Sequence, residues 1–389
     1  MLSSKIAQAE IDKENIKNGE LLSTYTKSRI AINRFFGATK DADRIKNEAI
    51  KEQTKGIEAT ITTLTTELNK TLAKLGNNVN EKTATNVKTA TSKVAKETKA
   101  VVDVVKSEVE VAILFSDILV IPNEMGMHLD FLQGEGPVFK DPIKTEADLD
   151  KLIGGEEAAN KLTYVYETIK LLKQQLPEDK ALIGFTGAPW TLATYMIEGQ
   201  GTKTYNLCKK IMYSNPEFLH KILRKVTDVV KFYLEKQIEA GADVVQIFDS
   251  WAAAIEPGRY DEFSWKYMVE IAEYIKERYP HIPVIMFPKG VAAFIERGLV
   301  YGNFDVFGVD WGTPMALAKE KLGSKYVLQG NMEPCRLYSK EETTKCVEAI
   351  QNVMKGEGHI FNLGHGILPD VPVENAIHFV KECQRVSKK

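Results

Sequence analysis

The feature that most constrains the fold is a regular alternation of short apolar runs and amphipathic stretches after residue 107. A short run without polar alternation is typical of a strand buried on both faces, as in a parallel sheet. Repeated strand, loop and helix units predict a parallel α/β fold and, at this number, a closed barrel. We predict seven strands, at Val109–Val120, Ala181–Thr186, Asp243–Phe248, Pro283–Phe287, Val306–Val309, Tyr326–Gln329 and Ile360–Leu363.

Helix boundary signals separate these strands. Asn215-Pro216 combines a capping residue with a first-turn proline, and Gly241 is suited to end the same helix. Ser339 and Glu342 have the spacing of a capping box. A standard TIM (β/α)8 barrel has eight strands. We therefore predict a TIM-type barrel over residues 108–389 that lacks its first strand, because the sequence before it has a helical pattern.

Residues 1–107 have a different composition, with no proline, tryptophan or cysteine. Their apolar residues step by three or four and later by seven, which is typical of helices that pack along a heptad-like seam. This pattern predicts an α-helical, coiled-coil-like segment that pairs with itself or with a helical partner. The residues that define it are Ile57, Ile61, Leu64, Leu68, Leu72, Leu75, Val79, Val87, Val94 and Val101.

Composition excludes several classes of protein. The net charge of -2 argues against nucleic acid as a partner, since nucleic-acid-binding proteins usually carry a basic excess. No apolar run is long enough for a membrane span, and the first residues do not resemble a signal peptide. The four cysteines are far apart, without metal-ligand spacing, which favours a reduced cytoplasmic protein with no metal site.

Motifs for nucleotide, zinc or acyl-enzyme chemistry are missing from the sequence: no Walker A loop, HExxH, GxSxG or GxGxxG motif occurs. Acid–base and electrostatic chemistry by Asp, Tyr and His side chains remains. In TIM-type barrels such side chains follow the carboxyl ends of the strands. The candidates at these positions are Asp117, Tyr195, Ser250 and His365.

Each candidate also has a structural interpretation. Asp117 could cap a turn, although the apolar Ile118–Ile121 stretch that follows favours a buried, functional carboxylate. Tyr195 could be a core tyrosine, and Ser250 could be a helix cap. His365 lies between two glycines, which would let the backbone approach a ligand closely. Three further strand-end residues are interpreted as salt-bridge partners within the barrel: Asp249, Lys289 and Asp310.

Five segments, in this order, resemble the successive motifs of the uroporphyrinogen decarboxylase family: AILFSDILVIP, GFTGAPWTLATYMIEG, VQIFDSWA, LQGNMEP and IFNLGHGILPDVPVEN. The resemblance extends from about residue 109 to residue 384. It implies a cytoplasmic homodimer with a TIM barrel and no cofactor. It also implies an enzyme of haem biosynthesis that removes carbon dioxide from the four acetate side chains of uroporphyrinogen III, giving coproporphyrinogen III.

The resemblance also implies roles for the four candidates. Asp117 matches the aspartate whose carboxylate faces the pyrrole N–H groups, and Tyr195, Ser250 and His365 match residues that contact the substrate. One part of the pattern is missing. The family's first strand carries an arginine-rich motif that binds substrate carboxylates, and the N-terminal arginines here do not match it. Two smaller departures are Ala253, where glycine is usual, and Glu333, where aspartate is usual.

Three hypotheses follow from these observations. The first is a working decarboxylase in which the N-terminal segment compensates for the missing arginines. The second is a catalytically inactive barrel whose helices in residues 1–107 mediate assembly or bind a partner. The third is a cobalamin-linked or zinc methyltransferase on the same barrel, which ranks last because no histidines and cysteines are spaced as zinc ligands.

Overall fold

A computed structural model of the chain describes residues 111–114, 117–132 and 136–387. The coiled-coil-like segment predicted for residues 1–107 lies outside the described residues, so it stays a prediction. Within the described ranges, none of the helices combines the length and apolar character that crossing a membrane requires.

Seven parallel strands form one curled sheet in the described residues, and a separate two-stranded hairpin lies beside it. The sheet order is β1-β4-β5-β6-β7-β8-β9, and β2 pairs with β3. The described strands that lie at the two edges of the sheet, β1 and β9, are not paired with each other. The strands are β1 Val111–Ile113, β2 Leu129–Leu132, β3 Gly136–Phe139, β4 Ala181–Gly187, β5 Val244–Asp249, β6 Val284–Pro288, β7 Val306–Gly308, β8 Val327–Met332 and β9 His359–Leu363.

Twelve α-helices connect or cover these strands within the described ranges. Short 3-10 turns at Ala252–Ala254 and Pro334–Tyr338 and a π-helical segment at Asp261–Trp265 complete the connections. The α-helices are α1 Val120–Glu124, α2 Glu146–Asp150, α3 Gly155–Asn160, α4 Thr163–Gln175, α5 Pro189–Glu198, α6 Asn206–Ser214, α7 Pro216–Glu239, α8 Lys266–Arg278, α9 Ala292–Glu296, α10 Met315–Leu322, α11 Lys340–Met354 and α12 Val373–Ser387.

The alternation of strands and helices confirms the predicted parallel α/β architecture, but the first predicted strand was too long. Strand β1 ends at Ile113, and helix α1 begins at Val120 within the same apolar run. The Asp117 carboxylate accepts a hydrogen bond from the Leu119 N–H at 2.8 Å and stabilises the turn between them. A continuous apolar run cannot by itself distinguish a buried strand from a buried helix.

The helix signals were read correctly at α7 and in part at α11. The Asn215 side chain accepts a hydrogen bond from the Phe218 N–H, and α7 ends at Glu239, just before Gly241. Ser339 accepts from the Glu342 N–H at the start of α11. The Glu342 carboxylate binds Arg336 at 2.9 Å. The hydrogen bond from the Glu342 N–H to the Ser339 hydroxyl is therefore the forward half of a capping box.

Apolar side chains fill the inside of the sheet. Ile113, Ile183, Phe185, Ile285 and Val306 pack together from neighbouring strands, as expected for the layered interior of such a barrel. A much larger cluster lies between the sheet and the helices that cover it. The strands are therefore held rigidly, and their carboxyl ends are fixed relative to one another.

Candidate active site

The carboxyl ends of the strands bring the sequence-predicted residues to one mouth. Asp117 follows β1, Tyr195 lies on α5 after β4, Ser250 follows β5 and His365 follows β9. Because β1, β4 and β5 are direct neighbours in the sheet, the first three side chains come from adjacent positions. His365 follows the other edge strand, β9.

Asp117 is a half-buried carboxylate. Its bond from the Leu119 N–H shows that it also caps a turn, so the structural interpretation holds together with any functional one. Burial raises the pKa of the Asp117 carboxyl above its usual value, and the hydrogen bond from Leu119 only partly opposes this. A carboxylate in this setting is stabilised by any cationic ligand group that approaches it.

Tyr195 is half-buried. Burial raises the pKa of the Tyr195 hydroxyl, the indole of Trp251 lowers it, and the negative charge of Asp117 raises it further. The Tyr195 ring centre lies 6.3 Å from that of Trp251. Burial, then the charge of Glu124 and then the charge of Asp117 raise the pKa of Tyr164 to about 12. Asp117 therefore has two tyrosines within electrostatic reach.

The Ser250-Trp251 loop is held by a buried carboxylate. Asp249 is fully buried and accepts hydrogen bonds from the hydroxyls of Thr191, Tyr260 and Ser264, at 2.6, 3.0 and 2.6 Å. Within the described residues, the Asp249 carboxylate is paired with these three hydroxyls and not with a cation. The prediction that Asp249 forms a salt bridge was therefore wrong. Burial raises the pKa of Asp249, and the three hydrogen bonds oppose it.

Backbone contacts complete the anchoring of this loop. The Thr191 hydroxyl accepts from the Trp251 N–H at 3.2 Å, and the Trp190 indole N–H donates to the Trp251 carbonyl at 3.0 Å. Ser250 itself is half-buried, and no helix begins at it, so it is not a helix cap. The loop instead presents Ser250 and Trp251 in one orientation at the end of β5.

Lys289 follows β6, beside the loop after β5, and His365 follows β9. The Lys289 Nζ lies 5.9 Å from the centre of the Trp251 ring. His365 is exposed at the mouth. Desolvation by the surrounding protein nevertheless lowers the pKa of its imidazole, the positive charge of Lys289 lowers it further, and the negative charge of Asp310 opposes both. The imidazole is therefore neutral at pH 7 and can both donate and accept a hydrogen bond.

Of the two glycines beside His365, Gly364 has a packing role, whereas a Cβ added at Gly366 would meet no atom within 4 Å, and the predicted approach of a ligand stays a prediction. A Cβ added at Gly364 would lie 2.2 Å from the Trp311 amide nitrogen, so Gly364 allows the β7 and β9 loops to meet. Asp310 accepts bonds from the Thr313 hydroxyl at 2.6 Å and the Gly312 N–H at 2.9 Å, which shape the same loop. The glycine at this point serves backbone packing.

Sequence reasoning passed over two residues of the site. Trp251 connects Tyr195 and Lys289, and its position directly after Ser250 at a strand end was the available signal. Tyr205, whose ring centre lies 5.4 Å from that of Trp251, comes from the loop before α6, where the sequence offers no signal. In the described ranges, no group of three or more His, Cys, Asp or Glu side chains is arranged to hold a metal ion.

Within the described ranges, the ion pairs of the arginines do not involve these mouth residues. Five of the six arginines in the described ranges form ion pairs with glutamates, as Arg224 does with Glu270 and Arg259 with Glu262. The cation that contacts the mouth residues is Lys289, whose single ammonium group cannot form the two parallel hydrogen bonds of a guanidinium to a carboxylate.

Comparison with known proteins agrees with the motif order. The family model for uroporphyrinogen decarboxylase matches residues 43–386, which begins earlier than the resemblance seen in the sequence. The uroporphyrinogen decarboxylase of Aliarcobacter butzleri (strain RM4018) is 90% identical over 281 residues, covering 72% of this chain and 81% of that protein. The uroporphyrinogen decarboxylase of Sulfurovum sp. (strain NBC37-1) is 82% identical over the same shares of both chains.

Among solved structures, a methyltransferase from Methanosarcina mazei has a TM-score of 0.61 with 18% sequence identity. The likeness covers 71% of this chain and 80% of that chain, and it concerns the fold alone. The extent of the family match and the high identity of the curated relatives establish that the chain belongs to the uroporphyrinogen decarboxylase family.

Proposed function

We propose that this chain decarboxylates the acetate side chains of uroporphyrinogen III to give coproporphyrinogen III. The observation that carries the proposal is the half-buried Asp117 carboxylate at the barrel mouth, electrostatically coupled to Tyr195, in a chain of this family. The curated relatives are named uroporphyrinogen decarboxylase, which supports the same reaction.

The reaction needs a place for the electron pair that carbon dioxide leaves behind. Protonation of the ring carbon that bears the acetate makes the pyrrole cationic. The bond to the carboxylate then breaks, carbon dioxide leaves, and the electron pair forms an exocyclic methylene. This methylene takes up a proton and becomes a methyl group, while the ring carbon loses its proton. The net change is one proton consumed for each carbon dioxide released.

Asp117 can stabilise the cationic pyrrole that forms in these steps. Its negative charge, directed at the pyrrole N–H groups, stabilises the cationic ring, and the effect is large where water is excluded. The raised pKa of Asp117 shows that its site is partly desolvated. In this proposal the Tyr195 hydroxyl, the Ser250 hydroxyl and the neutral His365 ring bind substrate carboxylates as hydrogen-bond donors.

A second candidate function is favoured by one specific observation. The arginines with an ion pair in the described ranges bind glutamates away from the mouth residues, so substrate carboxylates meet Lys289 there instead of a guanidinium. A barrel with this deficit could bind tetrapyrroles without turning them over, with the helices predicted in residues 1–107 serving assembly or partner binding. This is the inactive-barrel alternative.

Anaerobic turnover separates the two candidates. The purified full chain is incubated with uroporphyrinogen III, and coproporphyrinogen III is followed by chromatography. We expect turnover that falls at least about 100-fold in Asp117→Asn, because the charge that stabilises the cationic ring is removed. Asp150→Asn, at an exposed position on α2, is the matched control and should keep the parent rate.

Two results would contradict parts of this proposal, the first the role of Asp117 and the second the activity itself. Turnover that survives in Asp117→Asn would mean that another group stabilises the cationic ring. A folded chain without turnover would support the inactive barrel.

We also propose that the chain works in the cytoplasm as a homodimer packed through the barrel, with no cofactor. Membership of the uroporphyrinogen decarboxylase family supports this proposal. Sedimentation of the full chain gives the oligomeric mass, and a monomer would contradict the dimer.

A further inference from the structure

Two buried polar atoms beside the mouth have no hydrogen-bond partner in the described part of the chain. They are the Tyr205 hydroxyl and the indole N–H of Trp251. Tyr205 is 5% exposed, so water has little access to it from outside. Buried polar groups are almost always paired, and an unpaired donor in a native structure indicates a missing ligand or water.

These two atoms belong to one cluster with the proposed substrate residues. The rings of Tyr205 and Tyr195 lie on Trp251, with centres 5.4 and 6.3 Å away. Burial raises the pKa of Tyr205, and Tyr195 raises it further. The two tyrosines are therefore within electrostatic reach of each other. The Trp251 indole in turn lowers the pKa of Tyr195. The Trp251 N–H therefore lies near the Tyr195 hydroxyl without completing a full hydrogen bond to it.

A positive charge lies next to this cluster. Lys289 is half-buried, lies 5.9 Å from the centre of the Trp251 ring and forms no ion pair within the described ranges. An ammonium group beside an aromatic cluster that carries N–H and O–H donors is an environment that suits a carboxylate.

Backbone conformation also fixes Tyr205 at this position. Tyr205 has a φ of +50°, a left-handed conformation that bulky residues rarely adopt. Backbone strain of this kind persists only where the surrounding structure enforces it, and it is common at ligand sites. The aromatic contact with Trp251 provides such enforcement.

We propose that Tyr205, Trp251 and Lys289 form a carboxylate-binding subsite on the β5–β6 side of the mouth, which receives one side-chain carboxylate of the porphyrinogen. The assignment rests on the proposed function. It also identifies which residues provide part of the carboxylate binding that the missing arginine motif would otherwise supply. The three residues act in binding and take no part in proton transfer.

Equilibrium binding to the full chain tests the subsite without requiring turnover. The probes are uroporphyrin, which is the oxidised and stable form carrying the same side chains, and coproporphyrin, which lacks the acetates. Binding is followed by the fluorescence anisotropy of the porphyrin. Tyr205→Phe and Trp251→Phe remove a single donor each and keep an aromatic ring. Lys289→Met removes the charge and keeps the length of the side chain.

We expect each variant to raise the Kd for uroporphyrin about tenfold or more, since a hydrogen bond to a charged group is worth at least this factor. Tyr213→Phe, the same change at an exposed tyrosine on α6, should leave the Kd unchanged. An equal loss for coproporphyrin would identify the bound group as a propionate. A loss confined to uroporphyrin would identify it as an acetate. Either result supports the subsite.

Three other outcomes are distinguishable. Unchanged Kd values in folded variants would overturn the subsite but not the proposed function. They would mean that water binds the two donors. Parent protein that binds but does not turn over uroporphyrinogen would contradict the proposed function, while the Kd comparison still decides the subsite. Parent protein that binds neither porphyrin would overturn the subsite, and anaerobic turnover of uroporphyrinogen would still decide the proposed function.

Discussion

At the scale of single residues, this barrel buries titratable groups in two different ways. Asp249 receives three hydroxyl donors and serves to hold a loop, whereas Asp117 has one backbone donor and remains available to a ligand. Desolvation raises the pKa of both carboxyls, so the shift alone does not tell a structural carboxylate from a functional one. The number of hydrogen bonds that each carboxylate accepts makes the distinction.

His359 gives the fold a pH dependence. Burial lowers the pKa of its ring to about 4, against the opposing bond that its Nε2–H donates to the Gly330 carbonyl at 2.8 Å. The unfolded chain binds this proton near pH 6.5 and the folded chain only near pH 4. Stability from this residue is therefore complete above pH 6.5 and is lost as the pH falls from 6.5 toward 4.

We expect the free energy of unfolding of the parent protein to decline across this pH window and to decline less steeply in His359→Gln. Glutamine can keep a donor for the Gly330 carbonyl but does not titrate. Urea unfolding at pH 7.5, 6.0 and 4.5 would measure both slopes. Parallel slopes in the two proteins would show that His359 is not the group responsible.

At the scale of elements, α7 is the longest helix of the described chain and spans 24 residues. Its Gln237 side chain donates to the Phe185 carbonyl at 3.0 Å and accepts from the Phe185 N–H at 2.9 Å. Gly184 makes this possible, because a Cβ there would lie 2.6 Å from the Gln237 side-chain oxygen. A helix thereby fixes the strand that precedes Tyr195.

The start of this helix can be tested by itself. Asn215→Ala removes the acceptor for the Phe218 N–H, and we expect the protein to lose about 1 kcal/mol of unfolding free energy. Asn160→Ala, at an exposed helical position in α3, is the matched control and should be neutral or slightly stabilising. Chemical denaturation measures both changes, and equal effects would refute the capping role.

At the scale of the whole molecule, the part of the sheet that the structure describes has two edges, β1 and β9, where a complete barrel has none. An unpaired strand edge leaves backbone donors and acceptors without partners. The curated relative from Aliarcobacter butzleri is matched over 81% of its length, so about a fifth of that protein has no counterpart in the match.

We predict that the full chain melts at a temperature at least about 5 °C below that of this relative under the same conditions. The physical reason is the loss of edge pairing, and a few kcal/mol correspond to a shift of this size in a domain of this length. Differential scanning calorimetry of the two proteins makes the comparison. Equal melting temperatures would mean that the chain before residue 111 protects the two edges.

The sequence by itself determined the alternation of strands and helices, the start of α7 and the strand ends where functional groups lie, because periodicity and capping are local properties. The length of β1 was misread, since the run from Val109 to Val120 suits a buried strand and a buried helix equally. Only the tertiary structure decided that Asp249 is paired with hydroxyls, that Gly364 serves the packing of Trp311, and that Tyr205 reaches Trp251. Those facts depend on contacts between elements far apart in the chain, which no local pattern encodes.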